Sequence, residues 1–294
     1  MNEYFSSRRA LVDDFLKELA SSTGAPQPLD APLRRALTSA GKRVRGILTI
    51  AVAESVGAKP EKVVPAAAAM EMIHASSLIL DDLPSMDDAL LRRGAPTLHR
   101  EFGEDLAILA AVALLNHSYG LVAQNHAALT PRRWPLPQVM QRVVDAVGWD
   151  GTIAGESVDL HPSVYRGSSL DFDTLEFIHS RKTGALFVAA AAVGGMLANI
   201  HPAPLQRVEV FAKNLGLAFQ ITDDILDVTA DAEQLGKDVG KDAERLTFVK
   251  LAGVDGARKI SDELVDTSLA AIETLGRDAQ PLRDLATYVR GRVR

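Results

Sequence analysis

The chain has 294 residues, with 38 Asp and Glu against 32 Lys and Arg, a formal net charge of −6, and no cysteine. The acidic balance argues against a general nucleic-acid surface, which needs a basic patch to meet phosphates. The missing cysteines exclude disulfides, thiolate zinc sites and cysteine nucleophiles.

In chain order, apolar periodicity and turn signals predict helices over about 4–22, 30–57, 62–82, 89–92, 104–127, 137–160, 171–199, 204–228, 233–235, 243–251, 256–275 and 279–292. The first is amphipathic and has no uninterrupted apolar core, so no export signal is read and the cytoplasm is the default location. Turn-rich stretches at 24–28, 130–137, 165–169 and 201–204 separate the elements, and none is long enough for a flexible linker. Alternating β-branched runs are scarce, which predicts an all-α chain. Several helices are apolar around most of their circumference and belong inside one large bundle, a single domain over 1–294. The most membrane-like stretch, Ala185 to Ile200, is short and rich in Ala and Gly. It reads as a buried helix, and no transmembrane segment is expected.

The first chemical signal stands behind the 62–82 helix, where Asp81, Asp82, Asp87 and Asp88 follow an apolar run. Pro84 donates no backbone hydrogen bond and disfavours helix at the preceding residue, so the helix should end or kink there and let Asp87 fold back towards Asp81. The second signal is Asp223, Asp224 and Asp227 near the end of the 204–228 helix. Asp223 and Asp227 are four apart and share a helix face. Either cluster alone also fits a capping or solvated helix end. Two of them, each behind an apolar helix, call for a compensating cation. Hard oxygen ligands without Cys or paired His suit Mg²⁺, which shares its shell with water and substrate phosphates.

Three basic sets accompany the aspartates: Lys42, Arg43 and Arg45; Arg92 and Arg93; and Lys237 and Lys241. Guanidinium forks and compact ammonium groups match diphosphate oxygens. Each set alone also reads as an exposed helix end. Beside the aspartates they read as a diphosphate site. His74, alone in an Ala-rich helix, is by type a core residue.

In this order, over about residues 35–250, the motifs resemble those of the trans-isoprenyl diphosphate synthases, the family of farnesyl and geranylgeranyl diphosphate synthases. The resemblance implies long antiparallel helices around a deep central cavity, in a homodimer. It implies that Asp81, Asp87 and Asp223 bind three Mg²⁺ ions gripping an allylic diphosphate, with Asp82, Asp224 and Asp227 around them. Arg92, Lys182 and Lys237 would contact the same diphosphate. Lys42, Arg45, His74 and Arg93 would form the pocket for isopentenyl diphosphate. Lys182 with Thr183, and Phe219 with Gln220, match elements that face the developing cation.

The chain also departs from the family pattern. Gly46 stands where the family has proline, and Arg245 replaces a lysine. Glu156 stands where the family usually has glutamine, with Asp159 kept three residues on. A carboxylate there leaves three consequences open: stabilising the cation, binding metal, or slowing turnover. The basic ending Arg290, Arg292 and Arg294 fits a cap over the entrance.

The reaction implied is ionisation, condensation and elimination in a dry apolar cavity, with pyrophosphate taking the final proton. Product length follows from what blocks the tunnel behind Asp81. Ser76 and Ser77 are small where an aromatic would stop growth at fifteen carbons. Ile73, and Leu115 or His117 on a facing helix, would form the next floor. Geranylgeranyl diphosphate is the expected product and farnesyl diphosphate the alternative, and Ser76→Phe is expected to change the product distribution. A class I terpene cyclase would carry a different second motif and would not need the second basic set. A non-catalytic helical subunit would tend to lose the aspartates.

Overall fold

The structure, a computed structural model, describes residues 3–130, 133–165, 171–229, 247–275 and 277–292. Helices dominate: α1 (Glu3–Ser21), α2 (Gln27–Leu37), α3 (Val44–Ser55), α4 (Val64–Asp81), α5 (Leu98–Phe102), α6 (Glu104–Ala128), α7 (Leu136–Val147), α8 (Thr152–Leu160), α9 (Phe172–His179), α10 (Ala185–Leu197), α11 (Pro202–Thr229), α12 (Phe248–Ala271) and α13 (Gln280–Gly291). The chain is all-α, as expected.

Helix α10 lies at the centre, packed on α3, α4, α7 and α11. It can be central because it is made of small residues. Ala189 to Met196 are all buried, and a Cβ on Gly194 would stand 2.2 Å from the Thr49 carbonyl oxygen of α3. Phe187 and Phe211 fill the space beside it. Each such side chain contributes about 1.5–3 kcal/mol on full burial. Helix α4 packs on α1, α3 and α6, and α11 on α12. At the end of the chain, Leu282, Leu285, Ala286 and Val289 make the buried stripe of α13, with the spacing of one helix face. That stripe seats α13 against α3, α11 and α12.

Several predicted boundaries are corrected. The helix expected over 30–57 breaks after Leu37 and restarts at Val44, because Arg43 takes the left-handed conformation at φ 52°. The helix expected over 89–92 is instead a two-residue antiparallel ribbon, Leu91–Arg92 (β1) with Ala95–Pro96 (β2), turned by Arg93 and Gly94 at positive φ. The short α5 follows it without a periodicity long enough to announce it. The helix expected over 137–160 breaks between Gly148 and Gly151, where a Cβ on Gly151 would meet the Ala146 carbonyl oxygen at 2.2 Å. The 171–199 helix carries a π turn at Ser180–Gly184. Of the segment expected over 243–251, residues 243–246 lie outside the described residues; the rest joins the one expected over 256–275 in α12 across Gly253, at φ 72°. The 233–235 prediction lies outside the described residues. Ala185 to Leu197 is the buried helix expected, while α6 is the helix, among the described residues, whose length and composition would suffice to cross a membrane.

Candidate active site

The site begins where α4 ends. Asp82 caps the helix, and past Pro84 the chain reverses so that the Asp87 amide donates to the Asp81 carbonyl at 2.9 Å and the Ala89 amide to the Asp82 carbonyl at 3.1 Å. The fold-back expected from Pro84 is present. The β1–β2 ribbon then returns Arg92 to Asp82, whose Oδ1 accepts from Arg92 Nε at 2.9 Å and from a second guanidinium nitrogen. Burial pushes the Asp81 carboxyl up to about 7 against the pull of Lys182, and Glu156 and Asp87 add to the rise.

The second cluster lies on α11. Asp223 and Asp227 are half-buried and Asp224 is buried. Burial pushes Asp224 up to about 7, although it accepts from Gln220 Nε2 at 3.1 Å and the Phe248 amide at 3.3 Å. Gln220 Oε1 in turn accepts from Thr183 Oγ1 at 2.9 Å. Thr183, Gln220, Asp224 and the α12 N-terminus thus form one relay that fixes the direction of the Gln220 amide. The neighbouring rings of Phe187 and Phe219 are 5.5 Å apart.

Lys182 projects from the π turn onto α8, where Asp159 Oδ2 lies 2.7 Å from Nζ and Glu156 Oε2 forms a second ion pair. Burial opposes the charge on Lys182, but Asp159, Asp81 and Glu156 outweigh it and raise its pKa.

A cavity of about 280 Å³ beside the first cluster is lined by Arg43, Glu71, His74, Asp82, Arg92 and Arg93 among others. It brings together three of the expected diphosphate ligands, His74, Arg92 and Arg93. Burial, followed by Arg45 and Arg93, holds the imidazole of His74 well below its ordinary pKa, so the ring is neutral. Arg43 is tied to Asp13 at 2.7 Å and to the Ser39 carbonyl at 2.6 Å. Lys42 is exposed on the turn before α3. Arg45 is buried with its guanidinium 5.0 Å from the Phe187 ring centroid, and burial lowers it to about 10 against Glu71 and Asp223. Gly46, lacking the family's proline ring, donates its N–H to Glu71 Oε1 at 2.9 Å.

One participant went unread in the sequence, and a second was read only as part of a basic ending over the entrance. Glu71 is a buried acid one turn before His74, and its only sequence signal is a lone charge in an alanine-rich helix. Arg292, expected only near the entrance, reaches Asp223 Oδ1 at 2.5 Å and lies 4.5 Å over the Phe219 ring. Lys237, Lys241, Arg245 and Arg294 lie outside the described residues. Behind Asp81, Ile73 and Ser76 are buried, Ser76 donating to the Ala111 carbonyl of α6 at 2.8 Å, and Ser77 is half-buried. Leu115 packs against the core, whereas His117 is exposed and is no part of a buried floor.

The donor set suits magnesium: carboxylates crowded near the ends of two helices, with Asp81 and Asp224 pushed to about 7 by burial. Among the described residues no three acidic or histidine groups converge tightly enough to hold an ion alone. That fits an ion whose shell is completed by water and phosphate oxygens.

Residues 26–268 match the family model described as polyprenyl synthetase. Geranylgeranyl pyrophosphate synthase 11, chloroplastic, of Arabidopsis thaliana is 40% identical over 288 residues, covering 93% of this chain and 79% of the relative. A dimethylallyltranstransferase of Fischerella ambigua (strain UTEX 1903) is 38% identical, covering 98% of this chain and 82% of its own. Among solved structures, an FPP/GFPP synthase from Zymomonas mobilis superposes with a TM-score of 0.83 at 28% identity, over 98% of this chain and 99% of that one. A geranyltransferase from Helicobacter pylori, complexed with magnesium and isoprenyl diphosphate, superposes with a TM-score of 0.80 at 25% identity, over 98% and 97% of the two chains. With paired aspartate helix ends, a basic cavity beside the first of them and a matching model over most of its length, the chain belongs to the polyprenyl synthetase family.

Proposed function

We propose that this prenyltransferase condenses isopentenyl diphosphate head-to-tail with an allylic diphosphate, releasing pyrophosphate, and that its main product is geranylgeranyl diphosphate. The observation that carries the reading is the pairing of two carboxylate-rich helix ends, on α4 and α11, with a cationic cavity that holds His74 and Arg93 on one side and opens onto Arg92 and Asp82 of the first cluster on the other. One electrophile and one nucleophile, each bearing a diphosphate, need two such anion sites.

In this reading Asp81, Asp87 and Asp223, with Asp227 beside them, hold three magnesium ions, which supply the charge that lets pyrophosphate depart. Arg92, Lys182 and Lys237 meet the allylic diphosphate. Asp82 acts through Arg92, which it orients with two hydrogen bonds. Asp224 acts through Gln220, turning the amide so that its oxygen and the Thr183 hydroxyl face the allylic cation. Fixed dipoles of this kind stabilise developing charge without reorganising. His74, Arg93, Arg45 and Lys42 bind isopentenyl diphosphate. Its double bond attacks the cation, and the departing pyrophosphate accepts the proton lost in forming the new double bond. The apolar walls around Phe187 and Phe219 exclude water, which would otherwise quench the cation to an alcohol.

Small residues at Ser76 and Ser77 leave room beyond fifteen carbons, and relatives named geranylgeranyl pyrophosphate synthase support the longer product. The solved FPP/GFPP synthase keeps a farnesyl product as the second reading. The test is incubation of the purified protein with Mg²⁺, isopentenyl diphosphate and each allylic diphosphate, followed by chromatography of the dephosphorylated products. A twenty-carbon alcohol is expected. No product from any starter sinks the reading. In the same assay Ser77→Phe should shift the product to fifteen carbons. Ser76→Phe should do so at a cost in stability of about 1–3 kcal/mol, because its ring would press on α6. We also infer a homodimer, paired through the exposed face of α6.

A further inference from the structure

Three residues apart on α8, Glu156 and Asp159 place their carboxylates on one group, the Lys182 ammonium. The backbone enforces the approach. A Cβ on Gly155 would stand 2.2 Å from the Lys182 amide nitrogen, so α8 and the π turn touch at their main chains. Turns of this kind recur at functional positions in helices.

Glu156 is only 8% exposed, and its Oε1 has no hydrogen-bond partner. A buried carboxylate is costly unless a cation stays beside it. Glu156 therefore favours the conformation that keeps Nζ on α8. Two carboxylates around one ammonium leave a net negative charge where a diphosphate is expected to arrive. A glutamine at position 156 would leave Asp159 as the only formal charge on α8 holding the lysine.

We propose that Glu156 is a positioning residue, a second carboxylate that retains Lys182 on α8 and so weakens the hold of Lys182 on the allylic diphosphate. The inference rests on the reading above, in which Lys182 meets that diphosphate. Affinity for the allylic substrate is then set by competition for one ammonium between α8 and the substrate, and isopentenyl diphosphate, bound elsewhere, is unaffected.

The test compares wild type, Glu156→Gln, Lys182→Ala and the double variant. It measures KM for both substrates, the Mg²⁺ concentration at half-maximal rate, and calorimetric binding of inorganic pyrophosphate with Mg²⁺. Glu156→Gln should lower the allylic KM and tighten pyrophosphate binding by roughly three- to tenfold, the size expected of coupled neighbouring charges, with the isopentenyl KM unchanged. The gain should vanish when Lys182 is absent. Lys182→Gln replaces Lys182→Ala if the alanine variant does not fold. Unchanged or weaker binding in Glu156→Gln overturns the inference, as does a gain that persists without Lys182. A raised Mg²⁺ requirement overturns it too, making Glu156 a metal ligand. If loss of Lys182 alone leaves allylic KM and pyrophosphate binding untouched, the assignment of Lys182 itself fails. If that loss weakens both and Glu156→Gln tightens neither, the assignment stands and only the role of Glu156 falls.

Discussion

At the scale of single residues, burial decides which charges the site tolerates. His179 is 7% exposed, stacks on Phe248 with centroids 5.4 Å apart, and is pushed down to about 4 by burial. An unfolded histidine titrates near ~6.5, so between about pH 4 and ~6.5 the unfolded chain binds a proton that the native chain does not. The neutral ring's stabilisation is thus full above ~6.5 and is lost as pH falls, by up to the order of 3 kcal/mol. Asp81 and Asp224, both raised to about 7, slope the other way, stability falling as pH rises towards 7. The difference between wild type and His179→Gln isolates the ring: denaturant titrations should show the variant losing less stability from pH 7 to pH 5 than wild type does. Arg292 gives a second prediction. Its guanidinium occupies Asp223 Oδ1 at 2.5 Å, where the proposed function expects a metal. Arg292→Ala should therefore lower the Mg²⁺ concentration for half-maximal activity, and an increase would mean that the tail assists rather than competes.

At the scale of elements, small residues set where helices meet. Gly194 admits the Thr49 carbonyl at the crossing of α10 and α3, and Gly155 admits the Lys182 amide where α8 meets the π turn. Alanine at either position overpacks a backbone contact and should cost about 1–3 kcal/mol or more. Only Gly155→Ala should also lower kcat/KM by roughly tenfold or more in the folded protein, since small displacements of reacting groups are expensive. Equal loss of activity in both variants would show that the effect is global. These crossings also mark what the sequence can disclose. The end of α4 was legible because Pro84 acts locally, and the aspartate clusters were legible because their charges stand against apolar runs. The breaks at Arg43 and Gly148 to Gly151 were not, because they depend on a positive φ and on carbonyls that approach from the preceding helix. The junction of Arg292 with Asp223 spans 69 positions and leaves no local pattern.

At the scale of the whole molecule, α6 presents apolar side chains both to its neighbours and to solvent. Its inner face, Ala107, Ala110, Ala111 and Leu114, is buried on α4, but Ile108, Leu109 and Val112 on the other side are 41%, 55% and 56% exposed. A helix apolar all round is stable in water only when both faces are covered. Each of these side chains stands to gain up to about 1.5–3 kcal/mol on full burial. A second copy, offering the same stripe across a two-fold axis, would cover both stripes with one contact, as in the homodimer proposed above. In the proposed dimer each α6 would be held between its own α4 and its partner, and the wall behind Ser76 would be braced by the pairing. Light scattering should give twice the 31.5 kDa chain mass for the wild-type protein. Leu109→Glu with Val112→Glu should give the single-chain mass with helical content retained, and its product distribution should broaden as the wall loosens. A wild-type monomer would remove the dimer, and a double variant that still pairs would place the interface elsewhere; either leaves the exposed stripe of α6 without this explanation.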